Sequence, residues 1–301
     1  MQIAQLPLDE VKVSGWPFDL ATTLNSGQAF HWTPWEGGFV GTIGDTPVYV
    51  SQPGPETILC STGSAEKVSS YLGLHHKILE ISRTFPDMDI MLTRAISFCP
   101  GIRLLKQPEW ECLATFITSS LKQVPHIRQI SLKLRERFGR RVEAPGLPPL
   151  YAYPSPEALA STGEAALREC GLGYRAAFLH RAAEAVASGA FNLQKIHQLT
   201  DEEAVAELCT LFGVGEKIAS CALLFGWERY GAFPIDVWIE RALRQLYFPR
   251  RRKVTSRQIR DFAFRHFGPN RGYAQQYLFH WARLTRCGEL DSSTPGPTDG
   301  D

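Results

Sequence analysis

The chain contains no uninterrupted run of eighteen apolar residues, so a membrane-crossing helix is not expected. Its first residues, Met1-Gln-Ile-Ala-Gln-Leu-Pro7, lack the charged and apolar regions of a secretion signal. An intracellular protein is therefore expected, in a bacterial cytoplasm first, or a nucleus if the source is eukaryotic. The seven cysteines, at 60, 99, 112, 170, 209, 221 and 287, are odd in number, and no two form Cys-x-x-Cys. That argues against a zinc site and a disulfide framework, and for free thiols in a reducing compartment. No metal and no diffusible cofactor are expected. Net charge is also nearly absent, at +1 from 32 basic and 31 acidic residues, so overall charge announces no polyanionic partner. No internal repeat is visible.

A 301-residue chain that is 44% hydrophobic and 21% charged can bury one large core or two smaller ones. Residues 1 to about 63 read as β-rich. The strand candidates are Gln28–Trp32, Gly38–Ile43, Pro47–Ser51 and Thr57–Ser61, with turns at Gly37-Gly38 and Gly44-Asp45-Thr46. From Ser64 onward the pattern is helical. Ala144–Pro156 is proline-rich and reads as a linking loop, and 291–301 as a disordered tail. Sheet first and helices after predicts an α+β fold. Basic residues cluster locally. Arg241–Cys287 holds twelve Arg or Lys against one acid, Asp261, and a second group is Arg128, Lys133, Arg135, Arg137, Arg140 and Arg141. A solvated helix face is the plain reading of such runs, and a nucleic-acid surface the other.

The most specific signal is Leu211-Phe-Gly-Val-Gly-Glu-Lys217, followed nineteen residues after Lys217 by Asp236 in Phe233-Pro-Ile-Asp-Val237. Thr200-Asp-Glu-Glu203 forms a capping box ahead of it. A glycine hairpin between helices can offer backbone N–H groups to a phosphate. A neutral lysine amine can attack a sugar C1′ and form a Schiff base. A carboxylate nearby can stabilise the cationic sugar that forms as a base departs. Each part also has a plain reading. The hairpin can simply hold DNA, Lys217 can meet a phosphate, and Asp236 can be an ordinary N-cap.

The joint pattern resembles the helix-hairpin-helix DNA glycosylase superfamily. Further segments are similar to the 8-oxoguanine DNA glycosylases within it. They are Leu24-Asn-Ser-Gly-Gln-Ala-Phe-His-Trp32, Gly101-Ile-Arg-Leu-Leu-Lys-Gln-Pro108, Glu111-Cys-Leu-Ala-Thr-Phe-Ile-Thr-Ser-Ser120, Gly171-Leu-Gly-Tyr-Arg-Ala176 and Gly272-Tyr-Ala-Gln-Gln-Tyr-Leu-Phe279. They occur in order over roughly residues 16–285. The resemblance implies an N-terminal antiparallel sheet domain, like that of a TATA-binding protein, over 1–98. An all-helical helix-hairpin-helix glycosylase body would follow over 99–290. It implies that Lys217 is the nucleophile and Asp236 the stabiliser of the sugar cation. Gly27, Cys221, Gln275 and Phe279 would recognise a base flipped out of the duplex. Gly213, Val214 and Gly215 would hold the DNA backbone through main-chain donors. Tyr174 would wedge into the gap beside the estranged base, and Arg175 would contact that base. Some members of the superfamily carry an iron–sulfur cluster on four C-terminal cysteines. Here only Cys287 follows the hairpin region, so that cluster is not expected.

Three departures bear on specificity. Where the family commonly has asparagines that bond the estranged cytosine, this chain has Leu121, Lys122 and Gln123. Where it often has an arginine that reads cytosine, this chain has His126. Where it commonly has histidine near the lesion phosphate, this chain has Trp238. Phe212 also stands where proline is frequent. The expected protein is a monomeric glycosylase with associated lyase activity that acts on oxidised purine in double-stranded DNA, with relaxed opposite-base preference. The alternatives are a glycosylase for another oxidised or alkylated purine, and a non-catalytic damage-binding protein.

Overall fold

A computed structural model describes residues 6–119, 123–249 and 254–285. The expected tail, 291–301, lies outside the described residues, as do Arg250–Lys253. The fold is α+β. Five strands, β1 (Leu8–Lys12), β2 (Thr33–Trp35), β3 (Gly38–Ile43), β4 (Thr46–Gly54) and β5 (Thr57–Ser61), form an antiparallel sheet in the order β1-β5-β4-β3-β2. Ile43 pairs with Thr46, so Gly44-Asp45 closes a two-residue hairpin, as hairpin chemistry predicts.

The expected strand Gln28–Trp32 does not form. Its residues are all buried, but they join no ladder. They are threaded between the sheet and the helices, where the Gln28 side chain is held by main-chain groups and the Gln28 carbonyl by the Gln107 side chain. The Gln28 amide donates to the Arg103 carbonyl at 2.7 Å, and its oxygen accepts from Leu105 N–H at 2.9 Å. The edge beside β3 is supplied instead by β2, and the opposite edge by β1, whose Leu-Asp-Glu-Val-Lys sequence carries little β signal of its own.

The helices of the first half are α1 (Leu20–Asn25), α2 (Ala65–Tyr71), α3 (Ile78–Ser82), α4 (Ile90–Phe98), α5 (Glu109–Ser119) and α6 (Val124–Phe138). A two-stranded pair, β6 (Arg141–Val142) and β7 (Leu150–Tyr151), lies in and beside the expected linking loop. Then come α7 (Pro156–Thr162), α8 (Glu164–Leu167), α9 (Arg175–Ala187), α10 (Asp201–Leu208), α11 (Glu216–Gly226), α12 (Val237–Tyr247), α13 (Ser256–His266) and α14 (Arg271–Thr285). Thr200 with Glu203 and Thr255 with Gln258 form complete capping boxes at α10 and α13. No described helix is long and apolar enough to cross a membrane.

Two hydrophobic cores result. The sheet core gathers Phe18, Leu24, Trp32, Val48, Ile58, Tyr71 and Leu105. The larger core gathers the helices, and it takes in Ile78, Ile81, Leu92 and Ala95 from α3 and α4. Packing therefore changes hands before residue 98, because α4 lies against α14. A buried polar seam crosses between the cores. Arg135 of α6 pairs with Glu111 of α5 and donates to Thr42 Oγ1 of β3 at 2.8 Å. His31 Nδ1 lies 3.5 Å from the same carboxylate oxygen. Both members of the ion pair are buried, so removing one leaves a charge with no solvent. Arg135→Met should lower unfolding free energy by about 3–5 kcal/mol in urea titration. Adding Glu111→Met to that variant should recover part of the loss.

Candidate active site

Gly213 has φ of 83°, a left-handed conformation that favours glycine. A Cβ there would stand 2.2 Å from Cγ of Phe178. The hairpin is thus closed against α9, and Gly215 caps α11. Val214 does not present a main-chain donor as expected. Its N–H bonds the Leu211 carbonyl at 3.0 Å and its side chain is buried, because the turn that closes the hairpin needs that bond. The N–H groups of Gly213 and Gly215 have no protein acceptor among the described residues, which leaves them for an anion at the start of α11.

Lys217 lies in the first turn of α11, partly buried. Its Nζ reaches Ser119 Oγ at 3.5 Å and lies 5.4 Å above the Phe116 ring. Cys221, one turn on, is buried and feels the Lys217 charge. Burial pushes the Cys221 thiol up to about 11, against the opposing pull of the Lys217 charge. It is a neutral apolar wall at physiological pH. Asp236 is the N-cap of α12, and its Oδ1 accepts from Ile239 N–H at 2.8 Å. Burial raises its pKa above the ordinary carboxylate value. The Ile239 N–H and the Lys217 charge oppose that rise. Asp236 is therefore both an N-cap and an electrostatic partner of Lys217.

Gln275 and Phe279 lie one turn apart on α14. The buried Gln275 donates from Nε2 to the Pro234 carbonyl at 3.2 Å, two residues before Asp236. Its Oε1 is buried with no partner among the described residues, an acceptor left open. Gly27 has φ of 87°, and a Cβ on it would stand 3.1 Å from Phe279 Cε1. The structure thus links Gly27 to Phe279, Gln275 to the Asp236 segment, and Asp236 to Lys217 and Cys221. Ser119, Phe116 and Arg283 belong beside them and were given no role from sequence. The first two stand in the Glu111–Ser120 segment already noted. Arg283 feels the Asp236 charge, and only the fold brings it there.

The remaining predicted residues stand apart from this group. Tyr174 is 49% exposed at the start of α9 and meets Phe178 edge-on at 5.5 Å, which ties it to the hairpin. Arg175 is buried, with its guanidinium 4.3 Å above the Tyr174 ring. Gln123 and His126 are exposed at the start of α6. Leu121 and Lys122 lie outside the described residues. Trp238, in the first turn of α12, lies beneath the Arg241 guanidinium at 5.4 Å. Of the two basic groups, much is neutralised locally. Arg135 is in the buried seam, and Arg137, Arg140 and Arg141 pair with Glu169, Asp45 and Glu143. Arg244 and Arg260 pair with Glu240 and Glu216.

A cavity of about 410 Å³ opens behind the hairpin, against Glu216, Ser220, Leu223, Phe233 and Arg260. Lys217 lines it, but Gly27, Cys221, Gln275 and Phe279, the residues expected to recognise a base, do not. One described group has metal-ligand chemistry. The ligand atoms of His75, His76 and Glu228 lie within 4.8 Å of one another. They are already engaged, because Tyr230 hydroxyl meets His76 Nε2 at 2.6 Å and Lys106 meets Glu228 at 2.6 Å. Those partners, His76 first, pull the Glu228 carboxyl down to about 2.

Comparison with known proteins covers both halves of the chain. Residues 10–113 match the 8-oxoguanine DNA glycosylase N-terminal domain, and residues 115–263 match the HhH-GPD superfamily of base excision DNA repair proteins. A probable N-glycosylase/DNA lyase of Methanothermobacter thermautotrophicus is 28% identical, over 93% of this chain and 97% of its own length. The N-glycosylase/DNA lyase OGG1 of Arabidopsis thaliana is 28% identical over 89% of this chain and 78% of its own. The 8-oxoguanine glycosylase/lyase of Clostridium acetobutylicum, solved with double-stranded DNA holding cytosine opposite 8-oxoguanine, superposes with a TM-score of 0.83. It is 31% identical, over 93% of this chain and 98% of that one.

The hairpin geometry can be tested directly. Gly213→Ala should weaken binding to duplex DNA by at least about tenfold in an anisotropy titration, since the new Cβ displaces Phe178 and strains the turn. Adding Phe178→Ala should restore part of the affinity.

Proposed function

The chain belongs to the 8-oxoguanine DNA glycosylases of the HhH-GPD superfamily, and on that footing we propose how its own residues perform the reaction. It is a base-excision repair enzyme, a glycosylase with lyase activity that acts on duplex DNA. The observation that carries the residue assignment is the unit of half-buried Lys217 and Asp236 beside buried Cys221, in which the lysine's charge opposes the rise that burial gives the Asp236 carboxyl. A pure binding module has no need of that pair.

The amine of Lys217 attacks C1′ of the flipped nucleotide, and the C1′–N9 bond breaks. Its electron pair leaves with the base, which takes up a proton. Asp236 stabilises the positive charge that develops on the sugar, and it does so only as the carboxylate. The sugar ring opens, the lysine nitrogen loses its proton, and a C1′ imine remains. Loss of a C2′ proton then expels the 3′ phosphate by β-elimination. The base itself sits against Cys221 and Phe279. Gln275 Oε1 accepts from its Watson–Crick edge, and the Gly27 carbonyl accepts the N7–H that 8-oxoguanine has and guanine lacks. Guanine sets an acceptor against that carbonyl, which costs on the order of 1–3 kcal/mol. The enzyme works as a monomer where duplex DNA is found, a bacterial cytoplasm on this reading.

Opposite the lesion, Tyr174 stands exposed to wedge the duplex, with Arg175 against its ring. Gln123 and His126 lie at the start of α6, next to Leu121 and Lys122. The side chain of Leu121 has no hydrogen bond to offer cytosine, so a different partner base costs little.

Three outcomes test these assignments. Borohydride should trap wild type, but not Lys217→Gln, on 8-oxoguanine duplex, while Lys217→Gln keeps its affinity. A trapped complex in the variant would remove Lys217 from the chemistry. Excision should differ by less than about tenfold among the four opposite bases. A hundredfold preference for cytosine would contradict the apolar plug. Finally, because burial raises the pKa of Asp236, its carboxylate is lost on acidification sooner than an ordinary one. The acid limb of the single-turnover excision profile should therefore lie above the usual Asp value of about 4. Asp236→Asn should abolish that limb along with most of the rate.

A further inference from the structure

The loop leaving α1 presents four successive carbonyls, and side chains take three of them. Arg283 Nη2 donates to the Asn25 carbonyl at 2.9 Å. Gln276 Nε2 donates to the Ser26 carbonyl at 3.2 Å. Gln107 Nε2 donates to the Gln28 carbonyl at 2.9 Å. Among the described residues, no donor reaches the carbonyl of Gly27. A glycine carbonyl in a loop is soft, because a residue without Cβ turns at little cost. Its direction is settled only if the peptides around it are held.

Two of the three holding side chains come from α14. Gln276, Phe279 and Arg283 follow one another at spacings of three and four, so they share a helix face. Gln276 is 1% exposed. The Arg283 guanidinium lies 5.5 Å above the Phe279 ring, and its Nη1 is 3.4 Å from the position of a Cβ on Gly27. Asp236 adds the charge that favours a cation there.

We propose that Gln276 and Arg283 are positioning residues for lesion discrimination. They hold the carbonyls of Asn25 and Ser26, so that the Gly27 carbonyl alone projects toward N7 of the flipped base. The inference rests on the pocket reading given above. Acceptor and stacking ring are then set by one helix, and the Gly27 carbonyl cannot swing aside to relieve the clash with guanine.

The test is a split between two reactions of the same protein. Single-turnover release of 8-oxoguanine is compared with cleavage of a preformed abasic site, which offers no base to N7 recognition. Arg283→Met and Gln276→Met should each slow base release by at least about tenfold, while abasic-site cleavage by Gln276→Met keeps most of its rate and serves as the control for folding. Arg283→Lys should recover part of the loss, because an amine can still donate to the Asn25 carbonyl. Equal losses in both reactions, or unchanged base release, would overturn the proposal. If wild type cleaves abasic sites but leaves 8-oxoguanine in place, the pocket reading itself fails, and the clamp with it.

Discussion

The segment from Asn25 to Trp32 is threaded between two hydrophobic cores without the support of a strand ladder, and that constraint organises the molecule. A buried backbone must have its polar groups satisfied. Here the carbonyls of Asn25, Ser26 and Gln28 accept from the side chains of Arg283, Gln276 and Gln107, and the Gln28 side chain bonds the main chain of Arg103 and Leu105; these partners belong to the linking segment after α4 and to α14. The same bonds that let the segment be buried therefore register the sheet domain against the last helix. Among the described residues no donor reaches the Gly27 carbonyl, in the loop that packs against Phe279, where the proposed function places the recognised base. The structural requirement and the functional opening lie in one short loop.

The chemistry depends on a second constraint, the removal of water from a small number of charges. Lys217 and Asp236 share a site in which burial raises the carboxyl's pKa and the lysine's charge opposes that rise. Cys221 stays a thiol there. Elsewhere, among the described residues, several basic side chains are paired within the protein, in the Glu111–Arg135 seam and along α6, α12 and α13.

Much of this was legible before any coordinates. The capping box at Thr200, the glycine hairpin and Asp236 each have a local signature, because caps and tight turns are set by residues a few positions apart. The change from strand to helix expected at Ser64 falls between β5 and α2. The strand expected at Gln28–Trp32 failed for a physical reason. Its apolar residues are buried by two cores at once, a condition that alternation along the chain cannot express. Strand β1 was missed for the opposite reason, since its pairing with β5 compensates for a weak local preference.

What the sequence alone determined is therefore the chemistry available: an amine, a carboxylate, a hairpin with left-handed glycine backbone, and the order of sheet and helices. These follow from residue type and short spacing. The tertiary structure decided which groups are free. It spent the Val214 N–H inside the hairpin, paired Arg135 in the core, and brought Arg283 across more than 250 residues to the Asn25 carbonyl. Whether a polar group is used or open depends on everything packed around it, and no local pattern carries that information.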